Sequence, residues 1–116
     1  MEFKCINTDY LVSVSDGEKE IISELVSIFK EQVTEMATEM DSLFGKGDYY
    51  SLGLLAHKAK SSVAIMGMND LAVMLKTFEL QAKESNGTDK YPEYINSFKE
   101  QTGIAVKELE EFMKTF

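Results

Sequence analysis

Apolar residues recur at steps of three and four positions between residues 22 and 43 of this sequence. Such spacing puts them on one side of an α-helix, because the helix turns once in about 3.6 residues. We expect the stripe to be intramolecular core, although it would also suit a coiled-coil seam with another chain. Its members are Ile22, Leu25, Val26, Phe29, Val33, Met36, Met40 and Leu43.

Polar and glycine residues predict the two ends of this long helix. Ser15 followed by Glu18 has the spacing of a capping box, with Asp16 as the alternative cap. Gly45 and Gly47 suit a left-handed cap at the far end. Before the helix, Thr8 could cap a short helical turn, which we expect to lie across one end of the structure.

Two further helices are predicted to follow as a hairpin. Asp48 would cap a helix that runs to about Met66 and ends at Gly67. Asn69 or Asp70 would then cap the next helix after a connection so short that the two must be antiparallel. The expected apolar face of that next helix is Leu71, Met74, Leu75, Phe78 and Ala82.

A last helix is predicted after the polar loop of residues 84–90, with Pro92 in its first turn. Gly103 interrupts it, and we expect close packing or a weak point there. The whole pattern predicts an all-α fold: an antiparallel four-helix bundle over residues 16–116, with a short extra helix or turn within residues 1–15. The apolar face of the last helix is Ile95, Phe98, Thr102, Ala105, Leu109, Phe112 and Phe116.

Length, charge and cysteine content exclude several classes of protein. A chain of 116 residues is long enough for one core, so we expect a single domain over residues 1–116. The net charge of −8 argues against a nucleic-acid partner. No apolar run approaches the roughly 20 residues of a membrane span, and the first residues lack the profile of a signal peptide. With Cys5 as the sole cysteine, we expect a cytoplasmic protein without an intrachain disulfide.

The only histidine of the chain, His57, falls on the solvent side of the second predicted long helix. Small residues surround it on that helix: Gly53 one turn before, and Ser61 and Ala64 after. Glycine inside a helix costs about 1 kcal/mol relative to alanine, so Gly53 does not serve helix stability. We expect these small side chains to leave the imidazole open to a large partner.

The charge around His57 is locally basic. No acidic residue occurs from Tyr49 to Asn69, where the chain's average of 20 acids in 116 residues would supply about three to four. Lys58 and Lys60 lie in the same stretch. This basic patch would favour an anion such as a phosphoryl group at the one histidine.

These residues resemble the signature of histidine-containing phosphotransfer (HPt) domains, which is His-x-Leu-Lys-Gly-[Ser/Ala] followed by a glycine and a leucine. The chain has His57-Lys58-Ala59-Lys60-Ser61-Ser62, with Gly67 and Leu71 at the matching offsets, Ala56 before the histidine and Phe78-Glu79 where the family often has Leu-Glu. Two positions depart from the signature: Ala59 replaces a larger aliphatic residue, and Ser61 replaces glycine.

The resemblance implies a phosphorelay function. His57 would accept a phosphoryl group from the aspartate of one response-regulator receiver domain and pass it to another. Lys60 would neutralise phosphoryl oxygens, with Lys58 less directly placed and Ser61 as a hydrogen-bond donor. The chain would be a phosphohistidine carrier rather than an enzyme, with no kinase or nucleotide-binding domain of its own.

The resemblance also implies where partners would bind. Receivers would dock on the histidine face at Gly53, Leu54, Ala64 and Ile65, beside an exposed apolar rim that would include Tyr50 and Met68. The alternative is that Leu54 and Ile65 pack against a neighbouring helix. No carboxylate is expected near His57, so the chain would need no cofactor of its own and Mg²⁺ would come with the receiver. A hybrid sensor histidine kinase is another expected partner, and the protein itself would be a monomer.

Other functions fit the residues less well. A metal-binding bundle needs inward-facing ligands on several helices. A hydrolase triad needs an acid that orients the histidine. The dimerisation domain of a sensor kinase usually has an acid after its histidine, where this chain has Lys58. The main alternative is a non-catalytic helical adaptor that binds receivers or other signalling proteins.

Overall fold

The apolar stripe lies on one long helix in a computed structural model that describes residues 4–115. No strand occurs in this part of the chain, and a short 3₁₀ turn over Thr88–Lys90 precedes the last helix. The predicted core residue Phe116 lies outside the described residues. The helices are α1 (Thr8–Ser15), α2 (Lys19–Lys46), α3 (Tyr49–Ile65), α4 (Asn69–Lys83) and α5 (Tyr91–Thr115).

The four long helices form the predicted all-α antiparallel bundle. α2 packs against α3 and α5, and α4 packs against the same two helices, so α3 and α5 lie diagonally across from each other. The molecule measures 43 × 20 × 20 Å. Its long axis matches α2, since 28 residues at 1.5 Å each span about 42 Å.

The core is built from the predicted apolar faces. On α2 the buried members are Ile22, Val26, Phe29, Val33, Met36 and Met40, while Leu25 and Leu43 are partly buried. Tyr91, at the start of α5, is fully buried, and its hydroxyl shares its one proton between the carbonyl oxygens of Gln81 and Asn86. A buried hydroxyl needs such partners, so these bonds fix the start of α5 against the end of α4.

The predicted boundaries between α2 and α3 are confirmed at Gly47 and Asp48, whereas Gly45 lies inside α2 and is not a left-handed cap. Gly47 ends α2 with a φ of 71°, in the left-handed region that glycine enters without steric cost. The side chain of Asp48 accepts a hydrogen bond from the backbone N–H of Ser51 at 3.2 Å, which caps α3. The histidine helix therefore starts where the sequence predicted.

Three predicted caps are wrong. Ser15 is the buried last residue of α1, where its hydroxyl donates to the Leu11 carbonyl oxygen, so it forms no capping box with Glu18. Asn69 and Asp70 lie inside α4, which follows Met68 without a side-chain cap. Asn7, rather than Thr8, caps α1 by accepting from the Tyr10 N–H. At the starts of α2 and α4, backbone bonds serve in place of the predicted caps: the Glu18 N–H donates to the Ser15 carbonyl oxygen, and the Ala72 N–H to that of Met68.

The segment before α1 is tied to the end of α3. The Asn7 N–H donates to the Met66 carbonyl oxygen at 3.1 Å. Gly67 has a φ of 74°, and a Cβ on it would lie 2.5 Å from the Cβ of Asn7. Gly67 therefore serves both the tight turn and the approach of this segment.

Gly103 makes no close packing in α5. A Cβ built on it would have no heavy atom within 4 Å, so the expectation of close packing there is wrong. Within residues 4–115, no helix is long and apolar enough to cross a membrane.

Candidate functional site

His57 lies midway along α3 on the face that points away from the core. Its side chain is 57% exposed, although Ala56 and Ala59 on the same helix are completely buried. The predicted exposure of the only histidine is therefore confirmed. An imidazole held open on a regular helix is accessible to a partner without any rearrangement of the bundle.

A carboxylate orients this imidazole from the neighbouring helix. Glu79, on α4, has its Oε1 3.0 Å from Nδ1 of His57. The expectation that no carboxylate lies near His57 is thus wrong. Glu79 is one of the few buried polar residues among those described, with a side chain only 9% exposed.

Positive groups keep Glu79 ionised. Its pKa is lowered, mainly by the hydrogen bond from Lys83 and also by that from His57, and these effects outweigh the opposing effect of burial. Nζ of Lys83 lies 2.8 Å from Oε2, so the two carboxylate oxygens have different partners. An ionised carboxylate is only an acceptor; Nδ1 must therefore donate.

This hydrogen bond determines which ring nitrogen is free. With the proton on Nδ1, Nε2 of a neutral imidazole carries an unshared electron pair. Nε2 is on the other side of the ring from Nδ1, and so it points away from Glu79. The site therefore presents a nucleophilic nitrogen to solvent.

The two predicted phosphoryl-contacting lysines differ in position. Nζ of Lys60 lies 3.9 Å from Oε1 of Glu79, which places this ammonium beside the imidazole. Lys58 lies on the side of α3 that faces α2, where it lines a groove of about 350 Å³ with Glu39, Leu43 and Leu54. The structure thus brings Lys60 to the histidine from the α4 side, and Lys58 borders the opposite side.

Gly53 has a different role from the one predicted. It is buried between α3 and α4, so its assignment to a docking surface is wrong. A Cβ on Gly53 would lie 2.9 Å from Cγ of Lys83 and 3.0 Å from the carbonyl oxygen of Glu79. Gly53 instead permits the close approach of the two helices that brings Glu79 to His57.

The other predicted docking residues lie on the histidine face. Leu54 and Ile65 are 47% and 42% exposed, Ser61 is exposed, and Ala64 is half-buried. Tyr50 extends the apolar rim, but Met68 is buried and does not belong to it. An exposed apolar rim around a reactive group is a feature of protein interfaces.

Metal ligands do not gather in the described part of the chain. No group of three or more His, Cys, Asp or Glu residues within it has the arrangement of a metal site. The carboxylate of Glu79 is already shared by His57 and Lys83.

Two members of the site, Glu79 and Lys83, were not predicted from the sequence. Glu79 entered the prediction only as part of the Phe78-Glu79 pair. The available signal was an acid next to the core positions Leu75, Phe78 and Ala82, since an acid on an apolar face needs a partner. Lys83 follows Glu79 by four residues, which is the spacing of a helical ion pair.

A protein-family model described as Hpt domain matches residues 24–113, which include all the residues of the site described above. Searches of curated proteins and of solved structures gave no significant match.

Proposed function

This chain belongs to the Hpt domain family, whose members transfer phosphoryl groups through a histidine in phosphorelays, and we propose that His57 is its phosphoacceptor. His57 accepts the phosphoryl group from the aspartate of one receiver domain and passes it to the aspartate of another. The observation that carries this proposal is the hydrogen bond of 3.0 Å between Nδ1 of the only histidine and the buried carboxylate of Glu79.

The transfer is a displacement at phosphorus. The electron pair of Nε2 forms the N–P bond, and the P–O bond to the aspartate breaks, so that the aspartate leaves as a carboxylate with its electron pair. No proton has to move in this step. The return reaction to a second receiver is the same displacement in reverse, with the imidazole as the leaving group.

Glu79 stabilises the charge that develops on the ring. When Nε2 bonds to phosphorus, the imidazole gains positive charge while Nδ1 keeps its proton. The carboxylate of Glu79, 3.0 Å from Nδ1, balances that charge and holds the ring in one orientation. Glu79 is thus a positioning residue for the nucleophile.

Lys60 supplies positive charge to the phosphoryl oxygens. Its ammonium lies on the same side as Glu79, and its side chain is 28% exposed, so it can reach a group bound at Nε2. Ser61, one turn after His57 and exposed, donates a hydrogen bond to a phosphoryl oxygen. Lys58 contributes less directly, from the side of α3 that faces α2.

Response-regulator receiver domains are the partners that family membership implies. They dock with the apolar residues Leu54, Ala64 and Ile65 around His57, and a hybrid sensor histidine kinase is one source of the donor receiver. The Mg²⁺ that assists transfer is held by the receiver, because this chain's nearest carboxylate is already paired with His57 and Lys83. We further propose that the carrier acts as a monomer in the cytoplasm.

The test is incubation of this protein with a phosphorylated receiver domain and Mg²⁺, followed by analysis of the bound phosphate. Phosphohistidine is labile in acid and stable in base, and we expect such phosphate on His57. A His57→Gln variant is the control and should keep its fold, because the side chain is 57% exposed, while losing all labelling.

Two results would contradict the proposal. Acid-labile phosphate on the His57→Gln variant would mean that another residue is the nucleophile. If several phosphorylated receivers bound the wild-type protein and left it unmodified, the protein would be a helical adaptor instead of a carrier.

A further inference from the structure

Lys83 donates a hydrogen bond to Oε2 of Glu79, the carboxylate oxygen that is not bonded to His57. Its Nζ is 2.8 Å from Oε2, whereas Nζ of Lys60 is 3.9 Å from Oε1, beyond hydrogen-bonding distance. We propose that Lys83 is a positioning residue: by pairing with the carboxylate of Glu79, it prevents Lys60 from doing so and leaves the Lys60 ammonium available to the phosphoryl group. This inference rests on the function proposed above for His57.

The two lysines compete for one buried carboxylate. The side chain of Glu79 is 9% exposed, and a buried charge that loses a partner is strongly destabilising. Lysine is long and flexible, so Lys60 can close the gap from 3.9 Å once Oε2 is vacant. Without Lys83, Lys60 would bind Glu79 and would no longer reach a group on Nε2.

Two features hold Lys83 in its place. Glu79 precedes Lys83 by four residues on α4, which is the favourable order for an ion pair along a helix. The stem of Lys83 passes over Gly53 so closely that a Cβ there would lie 2.9 Å from its Cγ. The absence of a side chain on α3 thus sets the path of Lys83 toward Glu79.

The first experiment measures phosphoryl transfer from a phosphorylated receiver to the full chain carrying Lys60→Ala, Lys83→Met or both. Each single change should slow transfer about 10- to 100-fold, the usual effect of losing a hydrogen bond to a charged group. The double variant should be about as slow as the slower single variant, because both changes remove the same contact between Lys60 and phosphate. Lys83→Arg, which keeps the pair with Glu79, should restore most of the rate.

If the fold-losses of transfer rate in the two single variants multiplied in the double variant, the proposal would be overturned. Such a result would mean that Lys83 contacts the phosphoryl group itself. Unchanged transfer by Lys83→Met, with only a lower melting temperature, would give Lys83 a purely structural role and would also overturn it. Lys76→Met is the matched control: Lys76 is an exposed lysine of the same helix that pairs with no carboxylate within residues 4–115, and its loss should not change the rate.

A second-site change tests the competition directly. In a Glu79→Gln background the amide oxygen still accepts the Nδ1 proton, but it attracts Lys60 far less than a carboxylate does. Lys83→Met should therefore reduce the rate of phosphoryl transfer clearly less in the Glu79→Gln background than in the wild-type protein. An equal cost in both backgrounds would contradict the proposal.

A measurement without transfer separates this inference from the function of His57. The ¹⁵N signal of the Lys60 ammonium should become slow in hydrogen exchange in Lys83→Met, because Lys60 would then be hydrogen-bonded to Glu79. An identical Lys60 signal in both proteins would overturn the inference even if His57 is phosphorylated. A wild-type protein that accepts no phosphate would contradict the proposed function, yet the Lys60 signal would still decide the pairing of the lysines.

Discussion

At the scale of single residues, the ionised state of Glu79 links the stability of the fold to pH. The pKa of Glu79 is lowered from its ordinary value of 4.5, with the hydrogen bond from Lys83 as the largest cause. A carboxyl group whose pKa is lower in the folded protein than in the unfolded chain stabilises the fold. This contribution is complete at a pH above the pKa of the unfolded chain, and it is lost as the pH falls through the pKa of the folded protein. The wild-type protein should thus exceed Glu79→Gln in melting temperature at pH 7, and this difference should shrink below about pH 4.5.

An exposed ion pair provides the control for that pH series. Glu110 also has a lowered pKa, caused mainly by its hydrogen bond to Lys30, but its side chain is 50% exposed. Solvent screens such pairs, so Glu110→Gln should change the melting temperature little at any pH. A pH-dependent difference as large as that of Glu79→Gln would contradict our account of the buried carboxylate.

The residues of the site differed in how far the sequence could predict them. His57 and Lys60 were predictable, because one unique histidine and a local lack of acids are visible in the sequence. The pairing of Glu79 with His57 joins residues 22 positions apart on different helices. That pairing depends on the rotation and separation of α3 and α4, which no periodicity reports.

At the scale of helices, Gly53 and Gly103 have opposite roles, although each is a glycine inside a helix and the sequence assigns both the same cost in helix stability. Gly53→Ala should destabilise the protein by about 1–3 kcal/mol, because its Cβ would meet backbone atoms of α4 and force α3 away. Gly103→Ala should stabilise it by about 0.5–1 kcal/mol, since the site is open and alanine is the better helix former. Urea unfolding of both variants measures the two effects.

Equal effects of these two substitutions would contradict the close approach of α3 and α4 at Gly53. The sequence alone could not separate the two glycines, because it shows that a helix tolerates glycine but not which atoms lie opposite it.

The predicted capping box of Ser15 and Glu18 was wrong for a similar reason. Ser15 has the right spacing to Glu18, but α1 extends to Ser15 and uses its hydroxyl within that helix.

At the scale of the whole molecule, the arrangement of the helices leaves one side of α3 open to a partner. Ser61→Trp should reduce receiver binding and transfer together, because a large ring at this exposed position would cover His57. Glu111→Trp is the matched control, an exposed position on α5, which lies diagonally across the bundle. Isothermal titration with a receiver measures binding, and normal binding by Ser61→Trp would contradict docking on this face.

The bundle itself was the most predictable part of the protein. Apolar stripes at helical spacing determine which sides of α2 and α5 are buried, and short connections force neighbouring helices to be antiparallel. The attachment of the first described residues was not predictable. The carboxylate of Glu108 on α5 accepts the backbone N–H groups of Cys5 and Ile6, a contact across more than 100 residues that no local pattern encodes.

The hairpin of α3 and α4 has a consequence for how quickly the site can assemble during folding. His57, Lys60, Glu79 and Lys83 lie on two consecutive helices, and only residues 66–68 separate α3 from α4. Closing so short a connection costs little chain entropy, and contacts between near neighbours in sequence form fast. We therefore expect the nucleophile and the groups that orient it to meet before the distant ends of the chain do, and α2 and α5 to pack afterwards against the apolar sides of this hairpin, away from the site.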